Sequence, residues 1–454
     1  MSWAHSARTE PHRIQDIRVT PVAFRDPPLL NTVGVHEPFA LRAIIEVVTD
    51  SGLYGLGETY GDAAHLARLR RAAAELTGVD VWHVQEIARR IRAVADAGAG
   101  GHGMSELASE SFNTGRPRAA SPSLRGDVMS GLVTGSSTAD RVLSPFEVAC
   151  LDLQGKAIGR PVSDLLGGAV RDRVDYSAYL FYKWAGHPGA EPDAWGAATD
   201  PDQLVAQARR IVDEYGFTAI KLKGGVLPPE EEVAAVRALR KDFPDHPLRI
   251  DPNGAWSVAT SIRVGKELEG VIEYLEDPTT GIAGMARVAR EVPMPLATNM
   301  CVVAFDHLRP AVEADAVQVI LSDHHFWGGL SRSRSLAAIC DTFGLSLSMH
   351  SNSHLGISLA AMTHLAAVTP NLTYACDTHW PWKAAADDVV VPGVLRFENG
   401  AVPVPTGPGL GVELDRDALA RLHEQYLACG LTERDDTGYY RRTVPDFDPT
   451  APRW

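Results

Sequence analysis

Six short apolar runs in the second half of the chain each end in a polar residue. TAIKLK, PLRIDPN, IEYLEDP, MPLATN, VQVILSD and LSLSMH carry Lys221 and Lys223, Asp251, Glu276, Asn299, Asp323 and His350 at or near their ends, and these positions recur every 23–30 residues. Each step is about one strand plus one helix. The alternation begins at VDYSAYLF and continues to about residue 395, with helical segments such as PDQLVAQARRIVDEYG and SRSRSLAAICDTFG between the strands. It predicts an α/β barrel whose strand ends share one face, where catalytic residues collect.

The first part of the chain has a different pattern. IQDIRVTPVAF is a strand, and LRAIIEVVTDSGLYGLGET reads as a hairpin turning at Asp50-Ser51-Gly52, so residues 14–60 predict a small antiparallel sheet. AAHLARLRRAAAELTG and VWHVQEIARRIRAVADAG are helical. Residues 98–140 are rich in Gly, Ser, Pro and Arg, which fits either a surface insertion or a lid over the substrate. SPFEVACLDLQGKAIGRPVSDLLGG predicts a helix pair, with Ser144 as its cap and Pro145 at the first helical position. Beyond 395 come the turn-rich NGAVPVPTGPGLG, a helix at about 415–429, and a tail that returns to the N-terminal sheet or crosses the barrel mouth.

Composition narrows the setting. The chain has 454 residues and a net charge of −14, which argues against nucleic acid or an anionic membrane as partner. An anionic substrate must therefore be held by locally placed cations. Five scattered cysteines with no CxxC pair suit reduced thiols in a cytoplasmic enzyme. The N-terminal stretch has no apolar signal core, and no apolar run reaches about 18 residues, so neither secretion nor membrane spanning is expected.

The strand ends carry chemistry. Asp251, Glu276 and Asn299 are hard oxygen donors on three consecutive units, a set suited to octahedral Mg²⁺. Lys221 and Lys223 alternate in one strand and so face the same side. Beside a metal and each other, one of them can act as a base. Asp323 and His350 end adjacent strands, where a carboxylate on one imidazole nitrogen fixes the tautomer and makes the other nitrogen the better base. His324, His325 and His354 crowd the same region, so spacing alone leaves open which histidine is used. A metal flanked by a lysine and a histidine suits removal of the proton next to a carboxylate. Loss of a β-hydroxyl then gives dehydration; reprotonation from the other side gives racemisation.

The segments KLKGGV, DPNGAW, EDP, ATNM, DHHFW, HSNSH and DTHW together resemble the glucarate dehydratase subgroup of the enolase superfamily, over roughly residues 14–445. Asn299 as third metal ligand is notable, since most of the superfamily carries an acid there. The resemblance implies a modified TIM barrel, (β/α)7β, at 146–395. An α+β capping domain at 1–145 would cover it, completed by a C-terminal segment at 396–454. It implies Mg²⁺ on Asp251, Glu276 and Asn299, with Lys223 as base and Lys221 assisting carboxylate binding. His350, oriented by Asp323, would be the opposing acid/base, and Asn253 a polar contact near the metal. His36, Tyr179, Asn352, His379 and Arg434 would handle substrate, with Arg434 suiting the distal carboxylate of a diacid sugar. Family members are usually homo-oligomers. The function implied is an acid-sugar dehydratase acting on D-glucarate or a related aldarate. An epimerase or racemase with the same Lys/His pair, or a non-catalytic relative, are the alternatives. The chain departs from the subgroup in the 98–140 insertion, in the short TTGIAGM after EDP, and in Leu355-Gly356, where the family has Phe-Asp. These are loops that select substrate, so the resemblance points to the chemistry more firmly than to the sugar.

Overall fold

The computed structural model describes residues 12–95 and 137–454. Most of the 98–140 insertion lies outside the described residues. The N-terminal unit contains β1 (Ile14–Arg25), the short pair β2 (Leu30–Asn31) and β3 (Gly34–Val35), then β4 (Phe39–Thr49) and β5 (Tyr54–Tyr60). β1, β4 and β5 form one antiparallel sheet in that order. The turn between β4 and β5 is where the sequence placed it, with Gly52 in the left-handed region. One face of this sheet (Ile14, Ala43, Ile45, Val47) is buried with Leu66, Leu69, Ile87 and Ile91 of the helices Ala63–Ala74 and Val84–Ala95.

The next helix corrects an expectation. It runs from Thr138 to Ile158, capped by Ser137, with Pro145 inside it rather than at its start. A proline eight residues in forgoes one backbone hydrogen bond. Burial offsets that cost, since every residue from Ala139 to Gly155 is buried. The helix backbone lies directly on β5, where a Cβ on Gly55 would meet the Ala149 carbonyl and one on Gly57 the Pro145 carbonyl. Two glycines at strand spacing thus accept carbonyls spaced one helical turn apart. The expected division at residue 145 falls within this unbroken helix.

After β6 (Arg173–Asp175), seven parallel strands follow: β7 (Ser177–Phe181), β8 (Ala219–Lys223), β9 (Leu248–Asp251), β10 (Tyr274–Glu276), β11 (Leu296–Thr298), β12 (Val319–Ser322) and β13 (Ser346–Met349). Their spatial order is their chain order, each separated from the next by helix. Segment 372–377 joins the two edges. Thr373 N–H donates to Leu347 and Asp377 N–H to Met349 on the β13 side. On the other side, Cys376 N–H donates to the Asp175 carbonyl, and the Cys376 carbonyl accepts from Ser177 N–H. The curled sheet therefore closes as a modified TIM barrel under an antiparallel cap. The helix Arg416–Cys429 returns to the N-terminal sheet, with His423 and Gln425 bonded to the Pro21 and Ala23 carbonyls of β1. β14 (Ala401–Pro403) pairs with β6, and the tail ends at the barrel mouth, where Arg453 and Trp454 N–H bond Ala255. Among the described residues no helix is long and apolar enough to cross a membrane.

Candidate active site

Lys221 and Lys223 extend from the same face of β8 and meet carboxylates from its neighbours. Lys221 is fully buried, with Nζ 2.6 Å from Asp377 Oδ2, 2.6 Å from Glu276 Oε2 and 3.7 Å from Asp251 Oδ2. It also lies 4.7 Å from the Tyr179 ring centre. Burial alone would push its pKa down, but the fields of Asp377 and Glu276 hold it well above the usual value. Lys221 is thus a fixed cation. Lys223 Nζ donates to Asp251 Oδ2 at 2.7 Å. Burial opposes ionisation of Asp251, yet Lys223 and Lys221 draw it down to about 2. Asp251 Oδ1 accepts from both the backbone and side-chain N–H groups of Asn253, whose φ of 53° turns the loop back onto the strand end.

The next two strand ends complete an oxygen cluster. Asp251, Glu276 and Asp277 bring ligand atoms within 4.8 Å of one another, all buried. Asp277 is occupied: it accepts from the Thr298 hydroxyl and from Asn299 N–H, and so fixes the end of β11. Burial pushes Asp277 up to about 7 and Glu276 well above the carboxylate range. Neither Glu276 oxygen has a hydrogen-bond partner within the protein, and the approach of Lys221 is out of line for one. The Asn299 amide is fully buried, with neither Oδ1 nor Nδ2 bonded. A buried amide and carboxylate left open at adjacent strand ends are costly in themselves. They fit a hard divalent cation, whose charge would reverse the burial penalty on the carboxylates.

On the far wall, Asp323 caps the helical turn His324–Trp327 through the His325 N–H. His350 Nδ1 bonds Asp323 Oδ2 at 2.9 Å, and His325 Nδ1 bonds Asp323 Oδ1 at 2.7 Å. Burial would raise Asp323, but the two histidines hold it well below the carboxylate range. A cavity of about 30 Å³ separates this wall from Lys223. Its lining includes His350 and none of His324, His325 or His354.

Asn253, His36, Tyr179, Asn352 and His379 line the same cavity. Tyr179 OH reaches Asp251 at 3.4 Å, Asn352 Nδ2 donates to Tyr60 OH, and His379 Nδ1 meets Ser351 Oγ. Burial holds the His379 imidazole well below its usual range, and therefore neutral. Arg434 is not in the lining. Its guanidinium donates to both oxygens of Asp436 (2.7 and 3.2 Å) and to Asp26 (3.2 Å). Asp26 also binds His36 Nδ1 at 3.1 Å, so Arg434 stands behind His36 rather than beside the cavity. Three features were not singled out from sequence. Asp377 holds Lys221 and lies in the DTHW segment, but nothing in the sequence pairs it with β8. Asn31, from the cap loop, and Ser351, from HSNSH, also line the cavity.

Residues 203–418 match the family described as enolase C-terminal domain-like. The chain is 52% identical to the "probable glucarate dehydratase" of Streptomyces coelicolor, across 97% of this chain and 99% of that protein. A Gibberella zeae enolase complexed with magnesium, formate and sulfate has a TM-score of 0.91 at 60% identity, covering 98% of both chains. A Mycobacterium smegmatis enolase complexed with tartrate has a TM-score of 0.88 at 63% identity, covering 99% of this chain and all of that one. With its closed barrel, its cap and relatives matched along nearly their whole length, this chain belongs to the enolase superfamily, among its glucarate dehydratase-like enzymes.

Proposed function

We propose that this chain is a Mg²⁺-dependent dehydratase of acid sugars, with D-glucarate or a related aldarate as substrate. The observation that carries this reading is that Lys223 and His350 line one cavity, with Lys223 bonded to Asp251 and with the Glu276 and Asn299 oxygens left without hydrogen-bond partners in the protein. Asp251, Glu276 and Asn299 would hold the ion. When bound, Mg²⁺ supplies positive charge against the negative charge that develops on the substrate carboxylate.

The protein's own groups divide the remaining work. Lys221, held as a cation by Asp377, adds fixed positive charge near the substrate carboxylate. Lys223 takes the proton from the neighbouring carbon. His350, oriented by Asp323, gives a proton to the β-hydroxyl as its C–O bond breaks, so water leaves and an enol remains that tautomerises to the keto-deoxy acid. For the epimer whose proton faces the other wall, His350 is the base. Asn253, Tyr179, Asn352, His36 and His379 supply donors and acceptors for the sugar hydroxyls. The tartrate bound by the Mycobacterium smegmatis relative is a hydroxy-dicarboxylate, which supports this substrate class.

The same opposed pair permits epimerisation. Incubating the protein with Mg²⁺ and a panel of acid sugars in D₂O separates the two: keto-acid formation is expected. Deuterium in recovered substrate without keto-acid would overturn dehydration in favour of epimerisation. Lys223→Ala and His350→Asn should each lower turnover by at least about a hundredfold while sparing binding.

A further inference from the structure

Asp323 serves two histidines, and the proposed chemistry uses only one of them. Its Oδ1 accepts the backbone N–H of His325 at 2.9 Å and the ring Nδ1–H at 2.7 Å; its Oδ2 accepts Nδ1–H of His350 at 2.9 Å. The other nitrogen of His325 lies 3.0 Å from Arg42 Nη2 and 3.1 Å from Ser358 Oγ. Arginine carries donors only, so Arg42 donates and His325 Nε2 accepts. The ring is thereby the neutral Nδ1–H tautomer. Arg42 cannot swing away, because Glu58 Oε1 holds its Nε at 2.9 Å. Glu58 is itself fixed by the backbone N–H groups of Leu355 and Ser358, both at 2.8 Å.

We propose that His325 is a positioning residue that sets how strongly Asp323 holds the proton on His350. The idea rests on the reading of His350 as the acid/base group. A chain runs from the cap, through Glu58 and Arg42, to His325, Asp323 and finally His350 on the cavity. Each link has one polarity. The His325 donor takes up part of the Asp323 charge, so His350 feels a weaker carboxylate and releases its proton more readily. Closure of the cap sheet on the barrel therefore reaches the acid/base group through hydrogen bonds as well as through shape. Other charged or titratable groups face the pair. Arg141 lies over the Phe326 ring that stacks on His350. His324 packs against the His325 ring at a tilt, and Lys223 and His379 share the cavity. All of them remain in the variants below.

Two amides separate the halves of the imidazole. His325→Asn places its amide where Nδ1 was and keeps the donor to Asp323. His325→Gln places its amide where Nε2 was, keeping Arg42 and Ser358 occupied while removing that donor. In the Mg²⁺-loaded enzyme, the His350 ring titration followed by histidine-selective NMR should move up by about half a unit to one unit in His325→Gln. The same midpoint should be unchanged in His325→Asn, and the limb of the kcat–pH profile that reports His350 should follow. An unchanged midpoint in the glutamine variant, or equal shifts in both, would overturn the proposal. His350→Asn is the independent control. If it retained full turnover, the acid/base reading would fall, while the NMR midpoints would still decide whether His325 tunes His350.

Discussion

Leucine at position 299 should separate what the protein needs for folding from what it needs for metal. Asn299→Leu is nearly isosteric and removes an amide that is fully buried with both polar atoms unbonded within the protein. An unsatisfied buried polar group costs about 1–3 kcal/mol. In EDTA the leucine variant should therefore be as stable as the parent, or more stable by up to about that amount. With Mg²⁺ at a hundred times the parent's Kd, linkage adds about 2.7 kcal/mol to the parent. The variant keeps two of three protein ligands and should gain well under about 1 kcal/mol at the same concentration. The two stability curves should cross: variant above parent without metal, parent above variant with it. Denaturant midpoints in EDTA and in Mg²⁺ give both differences, and equilibrium dialysis gives the affinity directly. A variant that loses about 2 kcal/mol or more in EDTA would show that the amide is satisfied in the folded protein. Equal Mg²⁺-linked gains in the two proteins would remove Asn299 from the ligand set.

The remaining predictions concern the frame. His364 is buried, with Nδ1 accepting Ser163 N–H and Nε2–H donating to the Leu410 carbonyl, and burial lowers its pKa from 6.5 to about 4. Its folded-state pKa is below the unfolded one, so stability is complete above pH 6.5 and falls as the pH drops toward 4, by up to about 1.4 kcal/mol per unit. His364→Gln should flatten this acid limb in denaturation midpoints taken at pH 7 and pH 5; an unchanged slope would refute it. Gly57→Ala should cost about 3 kcal/mol through collision with the Pro145 carbonyl. Gly78→Ala, whose Cβ meets nothing, should cost only about 1 kcal/mol from its left-handed φ; equal melting shifts would contradict the packing argument. Arg453 joins the cap loop at the Thr32 carbonyl (2.6 Å) to the loop after Lys223 at the Gly225 carbonyl (3.3 Å). Arg453→Ala should raise KM several-fold with kcat within about twofold, measured on whichever acid sugar is turned over.

The barrel was legible because its signal is periodic: six of its seven strands end in or next to a polar residue, and the intervals admit only one strand and one helix. The strand-end residues inherit their meeting place from that topology. Asp377 escaped notice because its role is set by closure. It lies on a segment with isolated bridges rather than a full ladder, and only the closed ring brings it to 2.6 Å from Lys221. Pro145 misled for a related reason. Local rules place a proline at a helix start, and here burial of the whole preceding turn outweighs them. The resemblance assigns Arg434 to substrate, and the fold surrounds it with Asp436 and Asp26. The competing carboxylates are ten residues from His36 at one end and two from Arg434 at the other, a convergence no local pattern encodes.

Asn299 makes electrostatic sense once the whole cluster is counted. On the proposed reading, Asp251 and Glu276 bring two negative charges to the ion, and Asp377 brings a third to Lys221. With Lys223 neutral, as a base must be, Lys221 and a dication just balance these. A substrate carboxylate then leaves one negative charge in the site. Proton removal then adds negative charge to the bound substrate, which the site must tolerate in the transition state. An aspartate at position 299 would make the loaded site anionic before substrate arrives. It would carry two negative charges once the carboxylate binds. Burial sharpens the penalty, because charges at these strand ends are almost fully removed from water. A neutral oxygen donor lets the third ligand hold the ion without opposing the substrate. The adjacent carboxylate, Asp277, is kept from the same conflict by spending its oxygens on Thr298 and the Asn299 backbone. On the proposed reading, the amide at 299 would thus hold the ion without adding a further negative charge to a buried space that also receives a substrate carboxylate.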